Sequence, residues 1–234
     1  MGRLSDANDA NNKVVATAEG LTSDAFHRLL DLAITGRGKL LGARTIANNQ
    51  LRQRNDQEDA IRWLSNQHIA LAGGQGFATN WGGFLLSLVT IPANMAAAAF
   101  VQARAVAAIA HLRGYELNDP RVRTAILMVM LGPRGSAALI ASGDLPSSAA
   151  AVATAPAFDP RLDSRVSRAL LEQSMNHVGG KRLGVFLAKK VPLVGGGVGA
   201  VVDGWSTRSI VQYAQEQFVS RRPRATGYVI IVED

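Results

Sequence analysis

Arg104 and His111 stand seven residues apart, so on a helix they share a face, and each carries a group able to hold an anion. The apolar sequence around them is poor in charge, which makes every polar side chain there a candidate for chemistry. Asn80, Asn94 and Gln102 interrupt the first apolar stretch, and Asp203 stands in the second. A charged side chain on an alanine-rich helix is costly to bury unless a carboxylate, a headgroup or water reaches it. Three arrangements meet that demand. Arg104 links to Asp203 across two packed segments, Arg104 and His111 face a hydrated cleft that receives an anionic group, or Arg104 snorkels to solvent along its methylenes. The candidate ligand-binding set is therefore Asn80, Asn94, Gln102, Arg104, His111 and Asp203.

Other chemistries have less local support. His27, His68, His111 and His177 are all more than four residues apart, so no helical pair of metal ligands exists, and no metal is expected. The absence of cysteine removes disulfides, thiolate nucleophiles and Cys-based metal sites. No Gly-x-Ser-x-Gly elbow occurs, because Gly135-Ser136 lacks the second glycine. Asp119 reads first as a helix cap and Asp203 as a polar residue in an apolar segment, so neither is assigned a catalytic role. Gly195-x-Gly197-x-x-Ala200, followed by Glu216, has the look of a dinucleotide-binding turn. Its context opposes that: Pro192 interrupts the strand that should precede it, and no strand–helix alternation surrounds it. Close helix packing through the pairs Gly195/Gly199 and Gly180/Gly184 is the simpler reading. No catalytic residue and no cofactor are expected.

The elements that must hold the polar set are helices. Ser23 is placed to cap one carrying Phe26, Leu29, Leu30, Ala33 and Ile34, with Gly36 and Gly38 as its stop. Further helices are predicted over Ile46–Leu51, from near Asp56 through Ile61, Trp63, Leu64 and His68, and over Ala93–Leu112. In the last of these Ala96, Ala99, Ala103, Ala107 and Ala110 form one narrow stripe that lets another helix approach closely. Gly114 ends that helix, Asn118 or Asp119 caps the next before Pro120, and its apolar run Ala125–Leu131 closes at Gly132-Pro133. Helices over Ser164–Val178 and Ser206–Val219 follow, with a short one over Ser147–Val152. The fold class is thus all-α, a compact helical bundle with Gly/Ala-rich apolar central helices.

Residues 1–22 are polar and read as a flexible N-terminal tail, residues 23–220 as the helical domain with a linker near 143–160, and residues 221–234 as a basic and β-prone C-terminal tail. Hydrophobic residues make up 47% and aromatics only 6%, so the core is built on small side chains. The net charge of +7 favours anionic partners. From Ile69 to Ala103 the chain carries no Asp, Glu, Lys or Arg, yet glycines and Pro92 break it into two segments. That pattern suits a re-entrant hairpin or the centre of a helical bundle. The dispersed cations flank apolar stretches, as an anionic leaflet would attract and as an ordinary solvated surface equally explains, rather than gathering on a nucleic-acid-reading motif. The N-terminus has no apolar leader, which places the expected location in the cytoplasm.

Several separated blocks, in order, resemble the EcsC family, a bacterial group whose founding member is encoded beside an ABC transporter. They are Ala33-Ile34-Thr35-Gly36-Arg37-Gly38, the Gly-rich passage Gly73–Gly83, Ile91-Pro92-Ala93-Asn94, Gln102-Ala103-Arg104 through Ala107–Ala110, Gly114–Arg123, and Lys190–Gly195 with Gly197, Gly199 and Asp203. The resemblance spans residues 25–218 and implies a helical fold with hydrophobic Gly-rich central segments and association with a membrane. It carries no catalytic residues. Asn94 stands where relatives are expected to have an acid, which tells against a carboxylate role there. The expectation is a non-enzymatic, membrane-associated bacterial protein that contacts the inner face of the cell membrane, with anionic phospholipid as partner. A membrane-protein partner and a homo-oligomer are compatible with the sequence. The alternative is a soluble lipid- or hydrophobic-ligand-binding protein or enzyme that uses the apolar centre as a pocket.

Overall fold

The computed structural model of the chain describes residues 25–73, 93–145, 147–188 and 195–221, with backbone alone at 73, 93–95, 175–188 and 195–205. Asn80, most of the first apolar stretch and both tails lie outside the described residues. Among the described residues the fold is all-α, with strands only in one short hairpin.

Helix α1 occupies residues 25–35 and stops where Gly36 turns to a φ of +74°. A two-stranded antiparallel hairpin follows, β1 (Gly36–Arg37) paired with β2 (Leu40–Leu41), where Gly36 and Gly38 by themselves predict only a helix stop. Helix α2 (Ala43–Arg54) extends beyond the predicted Ile46–Leu51 and ends on Asn55 in the left-handed conformation, which Asn tolerates. Asp56 caps α3 (Gln57–Gly73), its Oδ1 accepting from the Asp59 amide at 2.7 Å. Helix α4 is Ala93–Leu112, as the periodicity predicts.

Asp119 caps α5 (Pro120–Met130) by accepting from the Arg121 amide, and Pro120 occupies the first turn. Gly132-Pro133 does close that helix, but it also opens α6 (Gly132–Ala141), because proline fits a first turn as well as it blocks a continuing one. Ser148 caps the short α7 (Ala149–Ala153). Helix α8 (Pro160–Ala188) runs much longer than Ser164–Val178. Asp159 accepts from the amides of Arg161 and Leu162 at its start, and the glycines at 179 and 180 pass within it, since internal glycine weakens a helix without ending it. Helix α9 (Gly195–Gln217) likewise starts earlier than Ser206.

Helix α4 is the axis of the core. It packs against α2, α3, α5 and α9, and between Phe100 and Leu112 only Gln102 and His111 escape full burial. A helix apolar on every side belongs at the centre of a bundle, and α4 has that composition. Helix α5 is the second buried rod, held by α6, α7, α8 and α9. Cross-links fix the helix directions. Glu58 meets Arg113 and His68 meets Arg104, so α3 runs antiparallel to α4. Ser65 meets Gln215 and Gln57 meets Ser220, so α9 runs antiparallel to α3 and parallel to α4. Among the described residues no helix is long and apolar enough to cross a membrane. Helices α5 and α6 reach that length and composition only as a pair bent by 106°, and α5 is a buried core helix.

Candidate functional site

The centre of polar interest is Arg104, which is only 7% exposed on the buried axis of the molecule. Its Nε donates to Nε2 of His68 at 3.1 Å, its Nη1 lies 3.5 Å from the carbonyl oxygen of Leu41 on β2, and its guanidinium stands 5.2 Å from the centre of the Phe100 ring. Arg104 does not snorkel to solvent. It ties α4 to α3 and to the hairpin at once.

His68 completes the arrangement and determines its tautomer. Its Nδ1 lies 2.8 Å from the Leu64 carbonyl, which can only accept, so Nδ1 carries the proton and Nε2 is left to receive Arg104. Burial, seconded by the Arg104 charge, lowers the His68 pKa to about 4. Burial lowers that of Arg104 to about 10, which still leaves a cation at neutral pH. The result is a neutral imidazole serving as acceptor for a buried cation. This pair can position and polarise, and it offers no nucleophile.

The other members of the expected set separate. Gln102 donates through Nε2 to the buried Thr207 hydroxyl on α9 at 3.3 Å, while His111 Nε2 lies 2.9 Å from Asn48 Oδ1 on α2. Gln102, Arg104 and His111 thus leave α4 toward three different neighbours. The side chains of Asn94 and Asp203, like the whole of Asn80, lie outside the described residues, and with them the proposed Arg104–Asp203 link. Sequence reasoning missed His68 as the partner of Arg104. The available signal was its place on the face of Ile61 and Leu64, where a histidine must be buried and therefore paired.

A second polar cluster joins α1, α5 and α8. Asp163 Oδ2 lies 2.9 Å from His27 Nε2, and its Oδ1 accepts from the Thr124 hydroxyl at 2.5 Å. One helical turn along α1, Asp31 pairs with Arg123. Burial by itself raises the Asp163 pKa, but the bonds from His27 and Thr124 outweigh it and hold the carboxyl below its usual range. Beside this cluster a cavity of about 200 Å³ opens between α5, α7 and the start of α8, lined by Arg121, Thr124, Val152, Ala155, Phe158 and Leu162. Arg121 is held by Asp119 and by the Ala155 carbonyl. Among the described residues no three His, Asp or Glu side chains gather at a spacing that could hold a metal ion.

A buried Arg–His centre under a glycine-bounded hairpin, on a central alanine-rich helix, is an arrangement to set beside known proteins. The model of the EcsC protein family matches residues 3–222. The chain belongs to the EcsC protein family. No curated protein and no solved structure matches it. In this EcsC protein the blocks that carried the resemblance acquire physical roles. Gly36-Arg37-Gly38 forms the hairpin, Gln102-Ala103-Arg104 supplies the buried polar centre, and Gly114–Arg123 forms the turn and cap that start α5.

Proposed function

We propose that this EcsC protein is a non-enzymatic helical protein that contacts the cytoplasmic face of a bacterial membrane through its Gly-rich apolar segments, with anionic phospholipid as its partner. One observation carries this reading. Because α3 is antiparallel to α4 and to α9, the C-terminus of α3, the N-terminus of α4 and the N-terminus of α9 share one end of the bundle. The first apolar stretch is attached there, residues 74–92 joining α3 to α4, and the second, which continues into α9, enters it through Lys189-Lys190-Val191-Pro192-Leu193-Val194. Apolar sequence attached at one pole of a molecule with a charge of +7 suits a surface that is apolar within and anionic at its boundary.

Flotation with vesicles tests it. Purified protein should rise with phosphatidylglycerol-rich vesicles at low salt and much less with phosphatidylcholine vesicles. Full recovery in the unbound fraction at low salt sinks the proposal.

A further inference from the structure

We infer that the cavity between α5, α7 and the start of α8 is the seat of this chain's own apolar segment Tyr228–Val232, with Ile230 inserted and Glu233-Asp234 lying toward Arg161 and Arg165. The inference goes beyond the membrane-contact reading and does not depend on it. The cavity asks for an apolar occupant. Its volume is about 200 Å³, and a void of about 150 Å³ already holds a benzene ring, so one large side chain fits. Val152, Ala155 and Leu162 supply apolar wall, and Phe158 stands at the rim at 39% exposure, where an inserted side chain would cover it. The polar groups of the wall are already engaged: Arg121 by Asp119 and the Ala155 carbonyl, Thr124 by Asp163, and Asp159 by the first amides of α8. A polar ligand would compete with those bonds, whereas an aliphatic side chain needs none of them.

Place selects the segment. Arg221, the last described residue, donates its amide to the Arg113 carbonyl, lays its guanidinium 5.3 Å from the centre of the Tyr115 ring, and brings its charge to the Asp119 carboxylate. Asp119 holds Arg121, and Arg121 lines the cavity. One helical turn earlier, Gln217 accepts from the Ala150 amide at the start of α7. The chain therefore leaves the described bundle beside the cavity. Residues 222–227 span about 20 Å when extended, enough to bring Tyr228 to its mouth. At the other end of the chain, residues 1–24 hold no apolar run longer than Val14-Val15-Ala16.

Charge sets the direction. Cations precede the apolar run, Arg222 and Arg224, and acids follow it, Glu233 and Asp234. Asp119 stands on the side where the chain leaves the bundle, and Arg161 and Arg165 are exposed on α8 on either side of Leu162, a residue of the opposite wall. Laid across the cavity from Arg221, the segment brings unlike charges together at both ends.

The absence of cysteine permits a direct trap. Ala157→Cys at the exposed rim of the cavity and Val229→Cys, which leaves Ile230 in place, are introduced together in the full chain and treated with oxidised glutathione at low protein concentration. Ala138→Cys on the exposed face of α6, with the same Val229→Cys, is the reference pair. The first pair should close as an intramolecular disulfide about tenfold faster or more, because docking raises the effective concentration of one thiol at the other. Adding Ile230→Asp to the first pair should bring its rate down to that of the reference. Equal rates for the two pairs overturn the docking, and so does a rate that the aspartate leaves unchanged. Disulfide-linked dimers in place of the intramolecular product assign the cavity to a second copy, and faster closure of Leu21→Cys with Ala157→Cys assigns it to the N-terminal residues; either result overturns the proposal. Flotation of the unaltered protein reports separately on the membrane-contact reading.

Discussion

His68 accepts from a buried guanidinium only while it is neutral, and this gives the protein a pH dependence of definite sign. In the folded chain its pKa is lowered to about 4, against 6.5 for the free side chain. As pH falls below 6.5 the unfolded chain takes up a proton that the folded chain refuses, so stability declines until the folded form is also protonated near pH 4. The decline ends there. That gap corresponds to about 3 kcal/mol at most. Urea midpoints should therefore drop between pH 7.5 and pH 4.5, and His68→Gln should flatten much of the slope. An unchanged wild-type midpoint over that range contradicts the buried neutral imidazole. Asp163 and Asp119 act in a different window. Their carboxyls are held below the usual 3.8, so the stability they contribute is present above that value and is lost only at lower pH. At this scale the sequence exposed Arg104 as a problem of burial but not its solution, because His68 is 36 residues away and comes beside it only when α3 folds back on α4.

The hairpin is the element that the sequence announced least clearly. Gly36 and Gly38 look like a helix stop, and they are that, but in three dimensions they and Gly42 answer to two different demands. Gly36 and Gly42 are required by close backbone approach, whereas Gly38 has open space around it and needs only its positive φ of +59°. Gly38→Ala should cost about 1 kcal/mol, the ordinary penalty for a left-handed non-glycine residue. Gly42→Ala should cost more than about 3 kcal/mol or prevent accumulation of folded protein, because the methyl group displaces backbone rather than a mobile side chain. Thermal unfolding of the two variants side by side checks this, and equal losses would refute it. The boundaries of α8 and α9 follow the same logic. Glycine pairs that resemble punctuation in one dimension are accommodated inside a helix.

For the whole molecule, the burial of α4 and α5 predicts a hierarchy of stability. Amides of Val101–Leu112 and Thr124–Met130 should exchange with solvent at rates set by global unfolding, and those of α6 and α7 faster, which exchange followed by mass spectrometry would resolve. Uniform protection across all four helices would contradict the description of α4 as the axis. That α4 and α5 are central could be anticipated from composition, since an alanine-rich or wholly apolar stretch has no polar face to turn outward. The sequence alone determined the all-α class, the limits of α4, the Asp119-Pro120 start of α5 and the family, because helical period, caps and ordered motif blocks are local properties of the chain. Only the tertiary structure decided that Gln102, Arg104 and His111 face three different helices, that His68 receives Arg104, and that α3, α4 and α9 bring the attachment points of both apolar stretches to one end. Those are consequences of helix direction and rotation about the axis, which arise when whole faces compete for burial and which no short window of residues contains.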